Sequence, residues 1–422
     1  MANCGPESLP PSRPRGSEAG DAEMNKTRII YLQYTNPGGY PPLEHSSRIL
    51  ADAGWDVLFL GTGAYGADGL LLPPHERITI RQLPFCRAGW RQKAHYVWFC
   101  LWSAAWTLWW RPAWLYASDP LSCPAARMIA SLFALRLVYH EHDSPEAAPP
   151  NASAFLRLYL AARRWCASRA VVCVLPNRER TIPFAESAPP RTPAQVVWNC
   201  PSRSEIGPGK PRERGEKIWA LYHGSIGPER LPMAVIDALA ALPDDLCLRV
   251  VGYETIGYLG YMGQVVEYAG KLGIAHRIEY RGAIPRRSDM LAICQACDIG
   301  LALVPRVSGD YNLQSMTGAS NKAFDYMACG LPLVIGNGPD WIRFYGEPGY
   351  AISCDPGDAP SLAAALRWYY EHPDQMRAMG ERGRQRILAE WNYETQFQPV
   401  LDILNDSAED VSFTRNPARI EP

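Results

Sequence analysis

From residue 28 onward the chain alternates short apolar runs with longer segments whose apolar residues recur every three or four positions. RIIYLQY, WDVLFLG, RITIRQL, AWLYASD, LRLVYHEHD, AVVCVLP and QVVWNC read as strands; most are apolar nearly throughout, as strands covered on both faces are. LEHSSRILADAG, with its Gly stop, and the stretches near residues 123–134 and 154–168 read as helices between them. PSRSEIGPGKPRERGEK then breaks the rhythm and has the composition of a linker. A second series follows: KIWALYHG, AVIDALAAL, LCLRVVG, a helix near 260–272, RIEYRG, DMLAICQAC, DIGLALVP, a helix near 321–329, and LPLVIG. Strand alternating with helix predicts parallel α/β architecture, here as two Rossmann-like domains facing across a cleft, the default place for a ligand.

The expected boundaries are a disordered leader at 1–26, an N-terminal domain at 27–200, a linker at 201–216 and a C-terminal domain at 217–390. A C-terminal helix at 391–405 and a flexible tail at 406–422 complete the chain. Its 422 residues suit two large domains. With 42 basic and 43 acidic residues the net charge is −1, which removes the electrostatic case for a general nucleic-acid binder. The 12 cysteines form no compact framework and predict reduced thiols. Cys294 and Cys297 make a CxxC inside an apolar helix, a core position rather than a metal or redox pair. The leader lacks an apolar signal core, so the expected location is cytoplasmic.

GTGAYG at 61–66 matches GxGxxG, but no helix opens after it and it follows the second strand of its domain, so it reads as a turn. The stronger signal is TGASNKAFDYMACGLPLVIGN, Thr317 to Asn337. Gly318, Ala319 and Ser320 lead into a short helix through Asn321, stopped by Gly330 and Pro332. Such a helix start offers unpaired N–H groups and the positive end of a dipole, suited to phosphate. Lys322 adds a full charge in the first turn, and Asp325 one turn on could accept two hydroxyl hydrogen bonds from a ribose.

This segment resembles the signature of the GT-B glycosyltransferases of family 4, E-G-F-G-x-x-x-x-E-A-M-A-x-G-x-P-V, and more closely a minority form with a Ser/Pro-x-Lys-x-Phe-Glu-Tyr-Met core. Aligned on MACGLPLV, Asp325 falls on the second acidic position, which in the family holds the ribose, and Thr317 on the first, which helps bind the donor sugar. YHGSIGPERLPMAVIDAL resembles the family's G-R-L-x-x-x-K-G motif; Arg230 takes the Lys position facing the donor diphosphate, while Ser225, after Gly224, replaces the Arg. Lys322 is then the candidate second cation. Gly38 and Gly39 of NPGGYPPLEHS resemble the family's GG loop, where backbone comes close to a diphosphate. In LVYHEHDSPE, His142 aligns with a His that lines the catalytic cleft. The loop around Ala283 and Ile284 is expected to pack near the donor base.

The resemblance covers roughly residues 28–404. It implies C-terminal helices crossing back to the N-terminal domain, and glycosyl transfer with retention from a nucleotide-sugar donor to an acceptor hydroxyl. His142, Arg230 and Lys322 are the candidate catalytic residues, and no metal or cofactor is implied. Cell-surface polysaccharide or glycolipid assembly is the expected setting. The alternatives are a GT-B nucleotide-sugar 2-epimerase, for which the chain offers no convincing acid/base carboxylates, and a catalytically silent saccharide-binding relative, which the replacements at Thr317 and Ser225 would suit.

Seven tryptophans fall between residues 90 and 114, among them Trp98, Trp102 and Trp106 at helical spacing. No acidic residue stands between Arg77 and Ser118, whereas Arg77, Arg81, Arg87, Arg91, Lys93 and Arg111 are basic. Trp98, Trp102 and Trp106 are therefore expected either in the core or as contacts to an anionic inner-membrane face or a lipid-linked saccharide acceptor. The apolar run is too short for a membrane span.

Overall fold

The computed structural model describes residues 27–65, 69–145, 149, 151–207, 215–306 and 308–414. The expected leader at 1–26, residues 208–214 of the expected linker and residues 415–422 of the expected tail lie outside them. The chain forms two units, residues 1–64 with 74–197 and everything from Gln396 on, and residues 65–73 with 198–395. From Gln396 on, the chain thus belongs again to the first unit.

The first unit is built on a seven-stranded, all-parallel sheet. Its strands are β1 (Arg28–Gln33), β2 (Asp56–Thr62), β3 (Ile78–Leu83), β4 (Trp114–Ser118), β5 (Arg136–His140), β6 (Val172–Leu175) and β7 (Gln195–Val196). They lie in the order β3-β2-β1-β4-β5-β6-β7. That reversal beside β1 is the topological switch point of doubly wound sheets. The period of two sorts each strand's side chains between the two faces. Ile30, Leu32, Leu58, Leu60, Leu115 and Ala117 enter one core cluster with the helices α2 (Trp90–Trp110), α3 (Cys123–Phe133) and α4 (Ala154–Arg169). Tyr31 points the other way and stacks on Tyr116 at 4.1 Å, on the side opposite that cluster; α1 (Pro41–Asp52) follows β1.

The second unit repeats the plan with six parallel strands in the order β10-β9-β8-β11-β12-β13. They are β8 (Ile218–Ile226), β9 (Leu246–Glu254), β10 (Ile278–Tyr280), β11 (Ile299–Ala302), β12 (Leu333–Gly336) and β13 (Ala351–Cys354). The four-residue β13 was not anticipated, because AISC is too short and mixed to show a period. In the first unit α5 (Thr181–Ser187) joins β6 to β7; in the second, α6 (Ala234–Ala240), α7 (Tyr261–Lys271), α8 (Arg287–Gln295) and α9 (Asn321–Ala328) connect strands; α10 (Ala359–Glu371), α11 (Pro373–Ala389) and α12 (Tyr393–Thr414) end the chain. The last helix runs to Thr414, past the end expected at 405. Two parallel Rossmann-like sheets are thus the architecture the alternation called for.

The tryptophan expectation needs correction. Trp102 and Trp106 are 1% and 5% exposed and pack in the first unit's core, whereas Trp98 is 47% exposed. At about 100° per residue the buried row of α2 is Tyr96, Phe99, Trp102 and Trp106, and Trp98 lies off it. Cys294 and Cys297 are buried, in keeping with a core role. Among the described residues no helix is long and apolar enough to cross a membrane.

Candidate functional site

The second unit gathers most of the predicted residues at the C-terminal end of β8. Gly224 has φ +106°, and opposite it on β9 Gly252 has φ +144°. A Cβ on Gly252 would lie 1.8 Å from the Gly224 carbonyl oxygen, so only glycine fits there. Gly252 N–H donates to Gly282 O at 2.8 Å, tying in the loop that carries exposed Ala283 and half-buried Ile284. A Cβ on Gly224 would stand 3.2 Å from Lys322 Nζ, so the bare backbone at 224 is what the lysine lies along. Arg230 reaches the same dipeptide from the following turn, donating through Nη1 to Ser225 Oγ. Ser225, the replacement in the family-like motif, therefore holds the arginine. Lys322 and Arg230 bracket Gly224-Ser225.

Lys322 Nζ lies 5.4 Å from the centroid of the Tyr222 ring, and among the described residues no hydrogen bond or ion pair holds its ammonium. Burial pushes its pKa down to about 7, the Arg230 charge adds to the depression, and Asp325 opposes it. A cation held near another cation without a compensating anion is suited to receive one.

Helix α9 starts where the sequence predicted. Phe324 and Tyr326 are fully buried and anchor it, Tyr326 OH accepting from His223 N–H at 2.9 Å. Ser320 occupies the N-cap but makes no capping hydrogen bond through its side chain. Gly318, at φ +76°, turns the chain so that the Ala319 and Ser320 N–H groups close on Met316 O at 3.0 and 2.9 Å. Their amides are used by the turn, and the helix-start donors lacking an intrahelical partner are those from Asn321 onward. The Gly318 and Ala319 carbonyls accept from Asn199 N–H and Nδ2 at 2.9 and 2.7 Å. Thr317 is half-buried beside them.

Asp325 is fully buried, and Arg287 engages both its oxygens, Nη2–Oδ1 at 2.6 Å and Nη1–Oδ2 at 3.1 Å. Arg287 Nε also donates to Glu205 Oε1 at 2.6 Å, and His223 Nε2 stands 3.4 Å from Asp325 Oδ2. Burial first, then the charges of Lys322 and Arg287, holds His223 well below its ordinary pKa, so its ring is neutral. The carboxylate expected to receive a ribose is thus already clamped in a Glu205–Arg287–Asp325 chain. Sequence reading missed Arg287, whose partners lie 82 and 38 positions away. The available signal was its place at the first position of α8, where a cation opposes the helix dipole and needs carboxylates nearby.

In the first unit, His142 follows β5 and Gly38-Gly39 follow β1. The glycine amides are committed: Gly38 N–H donates to Asn36 Oδ1 at 3.0 Å and Gly39 N–H to Asn36 O at 3.1 Å. His142 is 6% exposed; its Nε2 meets Ser118 Oγ at 3.1 Å, its ring lies 5.3 Å from that of Tyr40, and its Nδ1 is buried without a partner. Burial lowers its pKa to about 4, leaving a neutral imidazole at pH 7. Asp119, also missed in the sequence, fixes this loop: its Oδ1 accepts from the N–H groups of His142 and Asp143 at 2.8 and 3.3 Å. It does so from φ 63°, ψ 157°, a strained backbone for a residue with a side chain. Burial lifts the Asp119 pKa to about 6 against those hydrogen bonds. Among the described residues no group of three or more His, Cys, Asp or Glu is placed to hold a metal ion.

Residues 233–402 match a family described as glycosyl transferase-like. No curated protein matches the chain. Among solved structures, HepE of Anabaena in complex with UDP and glucose is 17% identical, covers 90% of this chain and 100% of its own, and gives a TM-score of 0.65. Sucrose-phosphate synthase of Thermosynechococcus elongatus is 14% identical over 91% of this chain and 100% of its own, TM-score 0.64. WaaG, a glycosyltransferase involved in lipopolysaccharide biosynthesis, is 14% identical over 89% and 99%, TM-score 0.61. With two parallel Rossmann-like sheets and this likeness along nine-tenths of its length, the chain has the GT-B fold, and its residues 233–402 are glycosyl transferase-like.

Proposed function

We propose that the protein transfers a glycosyl group from a nucleotide-sugar donor to an acceptor hydroxyl with retention of configuration, in cell-surface polysaccharide or glycolipid assembly. The observation that carries this reading is the pair of cations, Lys322 and Arg230, bracketing the Gly224-Ser225 backbone beside the uncapped start of α9. Two cations and free amide donors around bare glycine backbone suit a diphosphate, the leaving group of such a donor. The similar HepE structures are complexes with UDP, with UDP and glucose, and with UDP-glucose, which supports that class of ligand.

As the bond from the anomeric carbon to the diphosphate breaks, negative charge grows on the departing oxygen. Arg230, Lys322 in its charged form and the amides from Asn321 onward would take up that charge, so they act more strongly on the transition state than on the bound donor. The acceptor hydroxyl attacks from the face that the diphosphate leaves, and the departing phosphate takes its proton. In the first unit, His142 is neutral, so it would serve as a hydrogen-bonding group rather than as a cation. Asp325, with Arg287, serves to position α9 and His223 rather than to meet the ribose directly.

The test is a thermal-shift screen of UDP-, GDP- and ADP-sugars, since a ligand that binds only the folded state at 100 times its Kd adds about 2.7 kcal/mol. The best donor is then followed for release of nucleoside diphosphate with formation of a new glycoside. Arg230→Ala and Lys322→Ala should each lower turnover at least about tenfold, roughly 1.4 kcal/mol of barrier. Near-normal rates in both variants refute the phosphate clamp. An isomerised nucleotide sugar would point to epimerisation, and binding without turnover to a silent relative.

A further inference from the structure

From Tyr96 on, helix α2 is apolar on both its inner and outer sides. Its inner row, Phe99, Trp102 and Trp106, fills the first unit's core. Its outer row is uncovered: Trp90, Val97, Leu101 and Leu108 are 74, 58, 54 and 64% exposed. At about 100° per residue these four fall within about 40° of one another, opposite the buried row, with Trp98 at their edge. A helix that is hydrophobic on both sides and half uncovered is not explained by the fold of its own domain.

The charge around it has one sign. Helices α2, α3 and α4, which pack side by side, contain no Asp or Glu. Among the cations on or next to them, Arg87, Arg91, Lys93, Arg127, Arg164 and Arg169 are exposed. The overall net charge of −1 hides this concentration. Few acidic residues between Arg77 and Arg178 offset it: of those described, Glu141 is fully buried, Asp119 is half-buried with its Oδ1 taken by backbone N–H groups, and exposed Asp143 lies 3.7 Å from Arg180.

We infer that the outer face of α2, with the basic surface of α3 and α4, docks the protein on an anionic lipid bilayer, α2 lying in the headgroup plane. Aliphatic side chains such as Val97, Leu101 and Leu108 gain by leaving water for acyl chains, and the flanking cations draw the helix to anionic headgroups. Nucleic acid fits the same charge less well with this row, because base stacking calls for successive aromatic platforms, whereas three of its four side chains, Val97, Leu101 and Leu108, are aliphatic. Because its inner row is held in the domain's core, the helix, about 31 Å long, would lie flat as an anchor. The surface belongs to the first unit and uses none of the residues of the donor assignment, so it stands whether or not that assignment holds.

The test is co-sedimentation of the full chain with phosphatidylcholine vesicles containing no or 30% phosphatidylglycerol, scored without any turnover assay. The wild type should prefer the anionic vesicles at least about tenfold. Val97→Gln/Leu101→Gln/Leu108→Gln, all solvent-facing changes, should keep the wild-type melting temperature and lose at least about tenfold in binding. Arg91→Gln/Lys93→Gln/Arg127→Gln/Arg164→Gln should erase the preference for phosphatidylglycerol and its salt sensitivity. Wild-type protein that ignores anionic vesicles, a folded apolar triple variant that binds them unchanged, or binding to duplex DNA as tight as to vesicles each overturns the proposal.

Discussion

Lys322 provides the sharpest test of the clamp, because its pKa of about 7 makes donor binding and proton uptake one event. A nucleotide sugar's bridging diphosphate carries no titrating proton near neutrality, so a change in bound protons reports the protein. If the incoming dianion raises the lysine to about 9, uptake is about 0.1 proton at pH 6, about 0.5 at pH 7 and about 0.8 at pH 8. The same linkage weakens Kd about ninefold from pH 6 to pH 8, roughly 1.3 kcal/mol. Isothermal titration in buffers of different ionisation enthalpy measures the uptake directly. Lys322→Arg keeps a charge that does not titrate in this range, and should flatten both the uptake and the pH dependence while retaining binding. Arg230→Gln removes one of the two depressing causes and should move the midpoint above 7. In the ligand-free protein the sign is set by the folded lysine's lower pKa. The unfolded chain binds the extra proton between about 7 and about 10.4, so stability relative to Lys322→Met rises with pH across that window and is flat below it. Uptake at pH 8 that is absent, or identical in Lys322→Arg, refutes the account.

Three further outcomes follow from the packing. Gly252→Ala places a Cβ 1.8 Å from the Gly224 carbonyl oxygen at φ +144°, and should cost more than about 3 kcal/mol in urea unfolding; a loss under about 1 kcal/mol means the strands separate easily. Arg287→Met leaves the buried Asp325 and the Glu205 carboxylate without their shared cation, a loss of about 3–5 kcal/mol, and adding Asp325→Leu should recover part of it. Asp119→Gly relieves the strained backbone while freeing the His142 loop, so it should be more stable than Asp119→Ala yet equally low in turnover, by at least about tenfold; equal stability of the two variants would falsify the strain assignment.

Much of the candidate site's local geometry was legible because its signals are short-range. A helix start at Ser320 with Lys322 in its first turn, and Arg230 five residues after Ser225, are short-range facts that hold wherever the segments lie. The amide inventory was not legible. Gly38 and Gly39 looked free for an anion, but the preceding Asn36 takes both N–H groups, and the Ala319 and Ser320 amides go to Met316. Which donor a turn consumes depends on its dihedral angles, and many sequences of Gly, Asn and Ser are compatible with several turns.

Alternation of strand and helix by itself determined two parallel sheets, because backbone periodicity and burial on both faces leave few other arrangements. Only tertiary structure decided which tryptophans enter the core, since opposite rows on α2 are both apolar and the choice falls to the sheet they meet. It likewise joined Glu205, Arg287 and Asp325, because a buried charge is satisfied by whatever the fold brings within about 3 Å, irrespective of separation along the chain.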